Sequence, residues 1–169
     1  AKVMRDLVQT CVAVVDRRDP LSAYHSARVA EVSSAIAEAM HLDEAAVATC
    51  DIAGALVNLG KVTVPHEVLT KTGRLTEEEL AMIRQSVLTS AELIEGVEFE
   101  GPVADTIRQI QERWDGGGQP AGLEGEDIIP TARIVAVANA FVGMVSARAY
   151  RPGMSFDEAE KALMSGTGS

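Results

Sequence analysis

One segment of the chain combines residue types that could position or bind another molecular group. It runs from Ile110 to Leu123 and reads I-Q-E-R-W-D-G-G-G-Q-P-A-G-L. It holds the only tryptophan of the chain, three consecutive glycines and a proline, between two segments with helical patterns. A glycine run is conformationally costly, and folded domains accept it where φ must be positive or where a backbone or ligand comes close. We therefore predict a structured loop, with an ordinary surface turn as the alternative.

The glycine run fits neither of the common phosphate-binding loops. A P-loop needs Gly-Lys followed by Ser or Thr, and a dinucleotide fingerprint must follow a strand. Neither condition is met around Gly116, Gly117 and Gly118. A Ser-His-Asp or Cys-His catalytic arrangement has no supporting context either. Cys11 and Cys50 have neither zinc-site spacing nor the density of a disulfide scaffold, so we predict two buried thiols.

The motif E-R-W-D-G-x-G-x-P-x-G-L resembles the signature loop of the HD-GYP domains, a branch of the HD phosphohydrolase superfamily that cleaves cyclic di-GMP. The family pattern is H-H-E-x-x-D-G-x-G-Y-P, and both histidines and the tyrosine are replaced here. In that family the loop is implicated in contacts with diguanylate cyclase (GGDEF) domains. The resemblance implies an interaction loop made of Glu112, Trp114, Asp115, Gly116, Gly117, Gly118, Gln119 and Pro120, with Gln119 in place of the tyrosine.

The same resemblance implies where a metal site would lie. An HD-type site gathers histidines and carboxylates around two or three divalent ions of the Fe or Mn type, which activate a water and hold the scissile phosphate. His25, in H-S-A-R-V, matches an early family ligand. The other ligand positions hold Val57, Asn58, Ser86, Ile110, Gln111 and Asn139. Amide oxygens are weak, neutral ligands, so we expect no catalytic residue and no metal cofactor.

Three cations match positions that resemble phosphate contacts of the family. They are Lys61, in G-K, and the pair Arg148 and Arg151. If the fold holds, they would approach the phosphates of cyclic di-GMP. The alternative is that they complement helix dipoles and pair with the many acids of the chain. His41 and His66 fall in turns, where we expect solvated loop residues.

Periodic apolar positions predict the helices that carry these residues. They cover residues 3–15, 21–40, 45–56, 76–94, 103–113, 131–147 and 155–164, with a single helical turn near residue 66 and no strand pattern. We predict Asp19 as an N-cap, Gly60 as a C-terminal cap and a capping box between Thr76 and Glu79. Core candidates of the 131–147 helix are Ile134, Val135, Val137, Ala138, Phe141 and Met144. The resemblance implies an all-α HD-domain helical bundle with a glycine-rich GYP-type surface loop.

Composition narrows the classes of function. The chain has 169 residues, 47% of them hydrophobic, and a formal net charge of −10. That charge disfavours binding to a nucleic-acid polymer. No signal peptide and no apolar run of membrane-spanning length are evident, so we expect a cytoplasmic protein. We expect a fragment that lacks an N-terminal sensory or receiver domain, with residues 1–18 as a linker or dimerisation helix and residues 19–169 as an HD-GYP-like domain truncated at its C-terminal end.

The leading expectation is a catalytically inactive HD-GYP-like signalling or protein-interaction module in cyclic di-GMP-type signalling. Its expected partners are a GGDEF-type domain and, through the N-terminal helix, a second copy of the chain. The alternative for that helix is that its apolar stripe packs on its own domain. One alternative is a cyclic dinucleotide sensor that binds without hydrolysis. The other is a residual metal-dependent cyclic di-GMP phosphodiesterase, which would need two or three Fe or Mn ions.

Overall fold

The computed structural model describes residues 2–19, 24–147 and 152–169. These residues form α-helices and short 3₁₀ turns and no strand, apart from one isolated bridge between Asp115 and Glu124. The α-helices are α1 (Lys2–Arg18), α2 (His25–Ala39), α3 (Glu44–Leu56), α4 (His66–Leu69), α5 (Glu77–Ile94), α6 (Val103–Gln109), α7 (Pro130–Val145) and α8 (Phe156–Ser165). The all-α prediction is confirmed.

The core forms around α3, which packs against α1, α2, α6 and α7. Its buried residues are small, and they let neighbouring backbones come close. A Cβ added to Gly54 would lie 2.9 Å from Ala30 Cα on α2. The fully buried side chains of Cys50 and Ala53 lie on this helix as well. The prediction of a buried thiol is therefore confirmed for Cys50.

One segment of the described residues, Glu44–Thr63, is long and apolar enough to cross a membrane by length and composition alone. The segment contains Asp51, Asn58 and Lys61, so it is not a continuous apolar run. The helical part of this segment, α3, packs into the core. A core helix passes the same test of length and composition, so the segment is weak evidence for a membrane span.

Two helix ends differ from the predictions. Helix α2 begins at His25 and its N-cap is Tyr24, whose φ of 67° is left-handed, while the predicted start at Leu21 lies outside the described residues. The predicted cap, Asp19, instead pairs with a lysine, while Pro20 lies outside the described residues. The helix predicted over residues 103–113 is shorter in the structure. This helix, α6, ends at Gln109 because the chain turns there into the glycine-rich loop.

The predicted capping box is confirmed. The Thr76 hydroxyl accepts a hydrogen bond from the Glu79 amide at 3.2 Å, and the Glu79 carboxylate accepts one from the Thr76 amide at 2.8 Å. A hydrogen bond from Lys71 lowers the pKa of Glu79, and the Thr76 amide adds to that effect. These contacts fix the start of α5.

Gly60 is not a C-terminal cap. Helix α3 ends at Leu56 with Val57 in right-handed helical geometry, and Gly60 lies within a 3₁₀ turn, Leu59–Thr63. A Cβ on Gly60 would overlap the Ser86 carbonyl oxygen and lie 2.8 Å from the Ser90 amide nitrogen. Glycine is therefore required here by the close approach of α5, not by a positive φ.

Two predicted core positions face outward. Val137 is 47% exposed, because α7 turns Ile134, Val135 and Ala138 inward and Val137 lies on another side of the helix. Cys11 is also exposed, so the prediction of a buried thiol is wrong for this residue. On α1 the face that meets the domain carries Val8, Val12 and Val15, whereas Val3 and Leu7 are exposed.

Candidate functional site

His25 is the first residue of α2 and is 3% exposed. Its Nε2 atom lies 3.3 Å from Oδ1 of Asn139, on the neighbouring helix α7. An amide oxygen is an acceptor, so the ring nitrogen that faces it carries the proton in this arrangement. The structure thus brings together two of the predicted site positions, joined by a hydrogen bond.

Val57 and Asn58 follow directly after α3, and both are ligand positions predicted from the motif resemblance. Val57 is 1% exposed and belongs to the hydrophobic core. Asn58 is 9% exposed, and its Nδ2 atom has no hydrogen-bond partner among the described residues. A buried amide without a partner costs free energy, so Asn58 is an unsatisfied polar position just after α3.

Ser86 lies on α5, which packs against the 3₁₀ turn that follows Asn58. Its hydroxyl donates to the Ile83 carbonyl of the same helix at 2.6 Å. The link to the 3₁₀ turn comes from Ser90, whose hydroxyl donates to the Val57 carbonyl at 2.8 Å and accepts from the Gly60 amide at 2.7 Å. Sequence reasoning missed Ser90, because only the packing of α5 reveals its role.

Ile110 and Gln111 follow α6, and both are ligand positions predicted from the motif resemblance. Ile110 is 8% exposed and packs in the hydrophobic core. The Gln111 side-chain amide donates to the Arg84 carbonyl on α5 at 2.9 Å. This bond ties the entrance of the glycine-rich loop to the same helix that carries Ser86.

The loop is held by Glu112, a carboxylate that is only 8% exposed. Its Oε1 atom accepts from the Ala121 amide at 2.7 Å, and its Oε2 atom accepts from the Leu123 amide at 3.0 Å. Asp115 accepts from the Gly117 amide at 2.8 Å. The two acids accept hydrogen bonds from N–H groups of the loop and close the segment into a defined shape.

Two of the three consecutive glycines are required by geometry. Gly116 has a φ of 79°, in the left-handed region. A Cβ on Gly118 would lie 2.6 Å from the Glu112 carbonyl carbon and would overlap neighbouring backbone atoms.

Trp114 is 43% exposed, and the Arg133 guanidinium lies 5.5 Å from its ring centroid. That distance fits a cation–π contact.

A groove of about 300 Å³ runs between α5 and this loop. Its lining combines amide, guanidinium and aliphatic groups, and three predicted site residues contribute to it, namely Gln111, Gln119 and Pro120. The lining residues are Ala81, Arg84, Gln85, Leu88, Gln111, Gln119 and Pro120. The exposed part of the loop therefore shares one concave surface with α5.

The three candidate phosphate contacts have different outcomes. Lys61 has its Nζ atom 3.6 Å from Oδ2 of Asp19, and both side chains are largely buried. Burial raises the pKa of the nearby Asp16; Lys61 opposes this rise and the charge of Asp19 adds to it. Sequence reasoning missed this cluster of two acids and one lysine. Arg148 and Arg151 lie outside the described residues.

Titratable residues near the candidate site do not form a metal cluster. Within residues 2–19, 24–147 and 152–169, His, Cys, Asp and Glu side chains form no group of three or more that could hold an ion. His41 lies in a turn with a φ of 58°, and His66 begins the short helix α4; both are exposed. The hydrogen bond that joins His25 to Asn139 includes neither of them.

Comparisons with known proteins agree on one family. The HD domain model matches residues 9–169. A cyclic di-GMP phosphodiesterase response regulator of Xanthomonas campestris is 34% identical over 157 residues, which cover 92% of this chain and 42% of that protein. The 3'3'-cGAMP-specific phosphodiesterase 1 of Vibrio cholerae is 32% identical over 145 residues, covering 86% of this chain and 34% of that protein.

Among solved structures, an HDG"Y"P protein from Bdellovibrio bacteriovorus superposes with a TM-score of 0.69 at 24% identity. The superposition covers 83% of this chain and 45% of that protein. The chain thus spans less than half the length of these three relatives.

Proposed function

Because the chain belongs to the HD domain family, and within it to the HD-GYP superfamily, we propose that it is a signalling or protein-interaction module that does not hydrolyse cyclic dinucleotides. Relatives of the chain are cyclic di-GMP and cGAMP phosphodiesterases, which supports a role in cyclic dinucleotide signalling. The observation that carries the proposal is the donor set at the family's ligand positions, where His25 stands with two aliphatic, three amide and one hydroxyl side chain.

The chemistry of those side chains does not fit a two-metal centre. Val57 and Ile110 have no donor atom, and both are buried in the hydrophobic core. Asn58 and Asn139 offer neutral amide oxygens, which cannot offset the charge of a divalent ion as carboxylates do. The Asn139 oxygen also accepts the hydrogen bond of His25. Without two ions held together, there is no activated water for phosphodiester hydrolysis.

The first test measures metal content and hydrolysis in parallel. The chain is purified from medium supplemented with Mn and Fe, beside a catalytically intact HD-GYP domain, and both are analysed for metal and for cleavage of cyclic di-GMP and 3'3'-cGAMP. We expect substoichiometric metal and no cleavage from this chain, with both present in the intact domain. Retention of two or more ions per chain, or turnover abolished by a chelator, would overturn the proposal in favour of a residual phosphodiesterase.

A second measurement separates an interaction module from a nucleotide sensor. Calorimetric titration with cyclic di-GMP in the presence of a chelator should give no saturable heat if the module acts through protein contacts alone. Lys61 supports this expectation, since its ammonium group is already paired with Asp19. Saturable binding that Arg148→Glu abolishes would instead assign the chain as a non-hydrolysing sensor.

We propose that the partner is a GGDEF-type domain that docks on the glycine-rich loop and the adjoining groove. The loop is fixed by Glu112, so it can present an ordered surface at small entropic cost. Gln119 and Pro120 are exposed and line the groove. Trp114 lies on the same loop with nearly half of its surface free, and exposed aromatic residues are common anchors of protein interfaces.

The partner proposal has a direct optical readout. Trp114 is the only tryptophan, so its fluorescence reports on the loop when a tryptophan-free diguanylate cyclase domain is added. Gln119→Ala should weaken the binding, whereas Gln9→Ala, at an exposed glutamine on α1, should leave it unchanged. Equal affinity of the Gln119→Ala variant and the wild type, or no fluorescence change with saturating partner, would exclude this loop as the docking surface.

A further inference from the structure

Arg84, on α5, is an unpaired cation in a strongly acidic chain. Its side chain is exposed and lines the groove between α5 and the glycine-rich loop. The chain has 25 acidic side chains against 15 lysines and arginines. Several of its cations are paired with these acids, as Lys71 is with Glu79 and Arg108 with Asp105. Arg84 has no ion pair among the described residues.

The local sequence explains why Arg84 is unpaired. A side chain on a helix reaches the residues three and four positions away. For Arg84 these residues are Leu80, Ala81, Val87 and Leu88, and none of them is acidic. The helix that carries the guanidinium group therefore offers it no carboxylate.

The acids of the glycine-rich loop do not neutralise Arg84 either. The Glu112 carboxylate accepts from the Ala121 and Leu123 amides, and the Asp115 carboxylate accepts from the Gly117 amide. Neither acid lines the groove. Among the described residues, the lining of the groove thus contains a positive charge and no negative one, although the chain carries a net charge of −10.

The two walls of the groove are tied together by hydrogen bonds. The Gln111 side-chain amide donates to the Arg84 carbonyl at 2.9 Å, and the Gln119 backbone amide donates to the Gln111 carbonyl at 3.1 Å. The groove is therefore formed before a partner arrives, which lowers the entropic cost of binding. The side chains of Gln85, Gln111 and Gln119 also bring amide N–H donors to this surface.

A carboxylate is the group that this lining fits best. A guanidinium can donate two parallel hydrogen bonds to one carboxylate, and amide N–H groups can serve its remaining lone pairs. Ala81, Leu88 and Pro120 give the groove apolar surface for the methylene groups of an acidic side chain. A nucleotide fits less well, because none of the described lining residues is an aromatic side chain that could stack on a base.

We propose that the groove between α5 and the glycine-rich loop is a carboxylate-binding site, in which Arg84 binds an Asp or Glu side chain of the partner protein. This inference rests on the proposed protein-interaction function and adds the chemistry by which the partner is recognised. An acidic partner is repelled by most of this chain, so a local cation would determine where the partner docks.

Charge reversal at Arg84 tests the site in the complete chain. In the tryptophan fluorescence titration with the diguanylate cyclase domain, Arg84→Glu should raise the dissociation constant by about tenfold or more. Arg84→Lys should have an intermediate effect, because lysine keeps the charge but cannot form the paired hydrogen bonds. Arg74→Glu is the matched control, since Arg74 is exposed and lies outside the groove. Equal affinities of the Arg84→Glu and Arg74→Glu variants would overturn the carboxylate site and leave the interaction function standing.

A second probe does not depend on which protein is the partner. A short blocked peptide of alternating leucine and glutamate is titrated into the chain, beside a peptide with lysine in place of glutamate, and side-chain N–H signals are followed by NMR. We expect saturable shifts of the Arg84 and groove glutamine signals with the glutamate peptide alone, and none in Arg84→Glu.

The outcomes of the peptide titration separate the two proposals. Groove shifts with the glutamate peptide, without binding of the cyclase domain, would retain the carboxylate site and reject that partner. No shift with the glutamate peptide, or shifts as large at Arg74 as at Arg84, would overturn the site. Shifts of the same groove signals on addition of cyclic di-GMP would also overturn it, in favour of a phosphate-binding groove.

Discussion

Replacing Gly60 by alanine should destabilise the domain through a steric effect alone. Gly60 does not have a positive φ, so alanine can adopt its backbone conformation without strain. The added methyl group, however, would overlap the Ser86 carbonyl oxygen and approach the Ser90 amide nitrogen to 2.8 Å. Both are main-chain atoms of α5, which cannot move aside as a flexible side chain would. The 3₁₀ turn Leu59–Thr63 and α5 must therefore separate.

The magnitude follows from two contributions. Inserting a methyl group into a packed interior costs about 1 to 3 kcal/mol. Separating the two elements also breaks the 2.7 Å hydrogen bond from the Gly60 amide to the Ser90 hydroxyl, and leaving such a buried group unpaired costs about 1 to 3 kcal/mol. We expect a total loss of about 3 kcal/mol or more. For a chain of this size that lowers the thermal midpoint by roughly 6 to 12 °C.

Thermal unfolding followed by circular dichroism measures the effect, with Gly73→Ala as the matched control. A Cβ on Gly73 would have no neighbour within 4 Å, and Gly73 also lacks a positive φ. That substitution should be neutral or stabilise by up to about 1 kcal/mol, because alanine reduces the entropy of the unfolded chain. Equal midpoints for the two variants would refute the packing argument.

Three further predictions concern single side chains. Glu112→Ala should cost about 1 to 3 kcal/mol in chemical denaturation, because the carboxylate that holds the Ala121 and Leu123 amides is lost; an unchanged midpoint would contradict this. Burial raises the pKa of Asp16, so ionisation of this carboxyl at neutral pH opposes folding. At neutral pH the Asp16→Asn variant should therefore have a larger free energy of unfolding than the wild type. The difference should vanish as the pH falls below the ordinary pKa of aspartate. In thiol titration one cysteine should react in the folded protein and the second only after unfolding, since Cys50 is buried.

Features set by local chemistry could be predicted from the sequence. The capping box of Thr76 and Glu79 needs residues only three apart, and the structure contains both of its hydrogen bonds. The glycine run likewise predicts a structured loop, and in the structure Glu112 and Asp115 accept hydrogen bonds from amide groups of that loop. The helices follow from apolar periodicity, and seven of the predicted ranges overlap observed helices.

Features that depend on a distant partner could not be predicted. Gly60 looks like a helix cap in the sequence, and only the approach of α5 reveals why a side chain does not fit. Periodicity marks both apolar faces of α1 but cannot tell which one meets the domain, so the exposure of Cys11 was missed. The left-handed Tyr24 is unusual for an aromatic residue, and nothing in the local sequence indicates it.

The residues at the predicted ligand positions change how the buried centre of the domain is stabilised. Buried histidines and carboxylates depend on bound ions for compensation, and metal binding then contributes to the free energy of folding. Val57 and Ile110 instead stabilise the core by apolar burial, and Ser86 satisfies its hydroxyl within α5. We therefore expect that a chelator leaves the thermal midpoint of this chain unchanged and lowers that of an intact HD-GYP domain. A clear drop for this chain would show that an ion contributes to its fold, which would contradict an inactive centre.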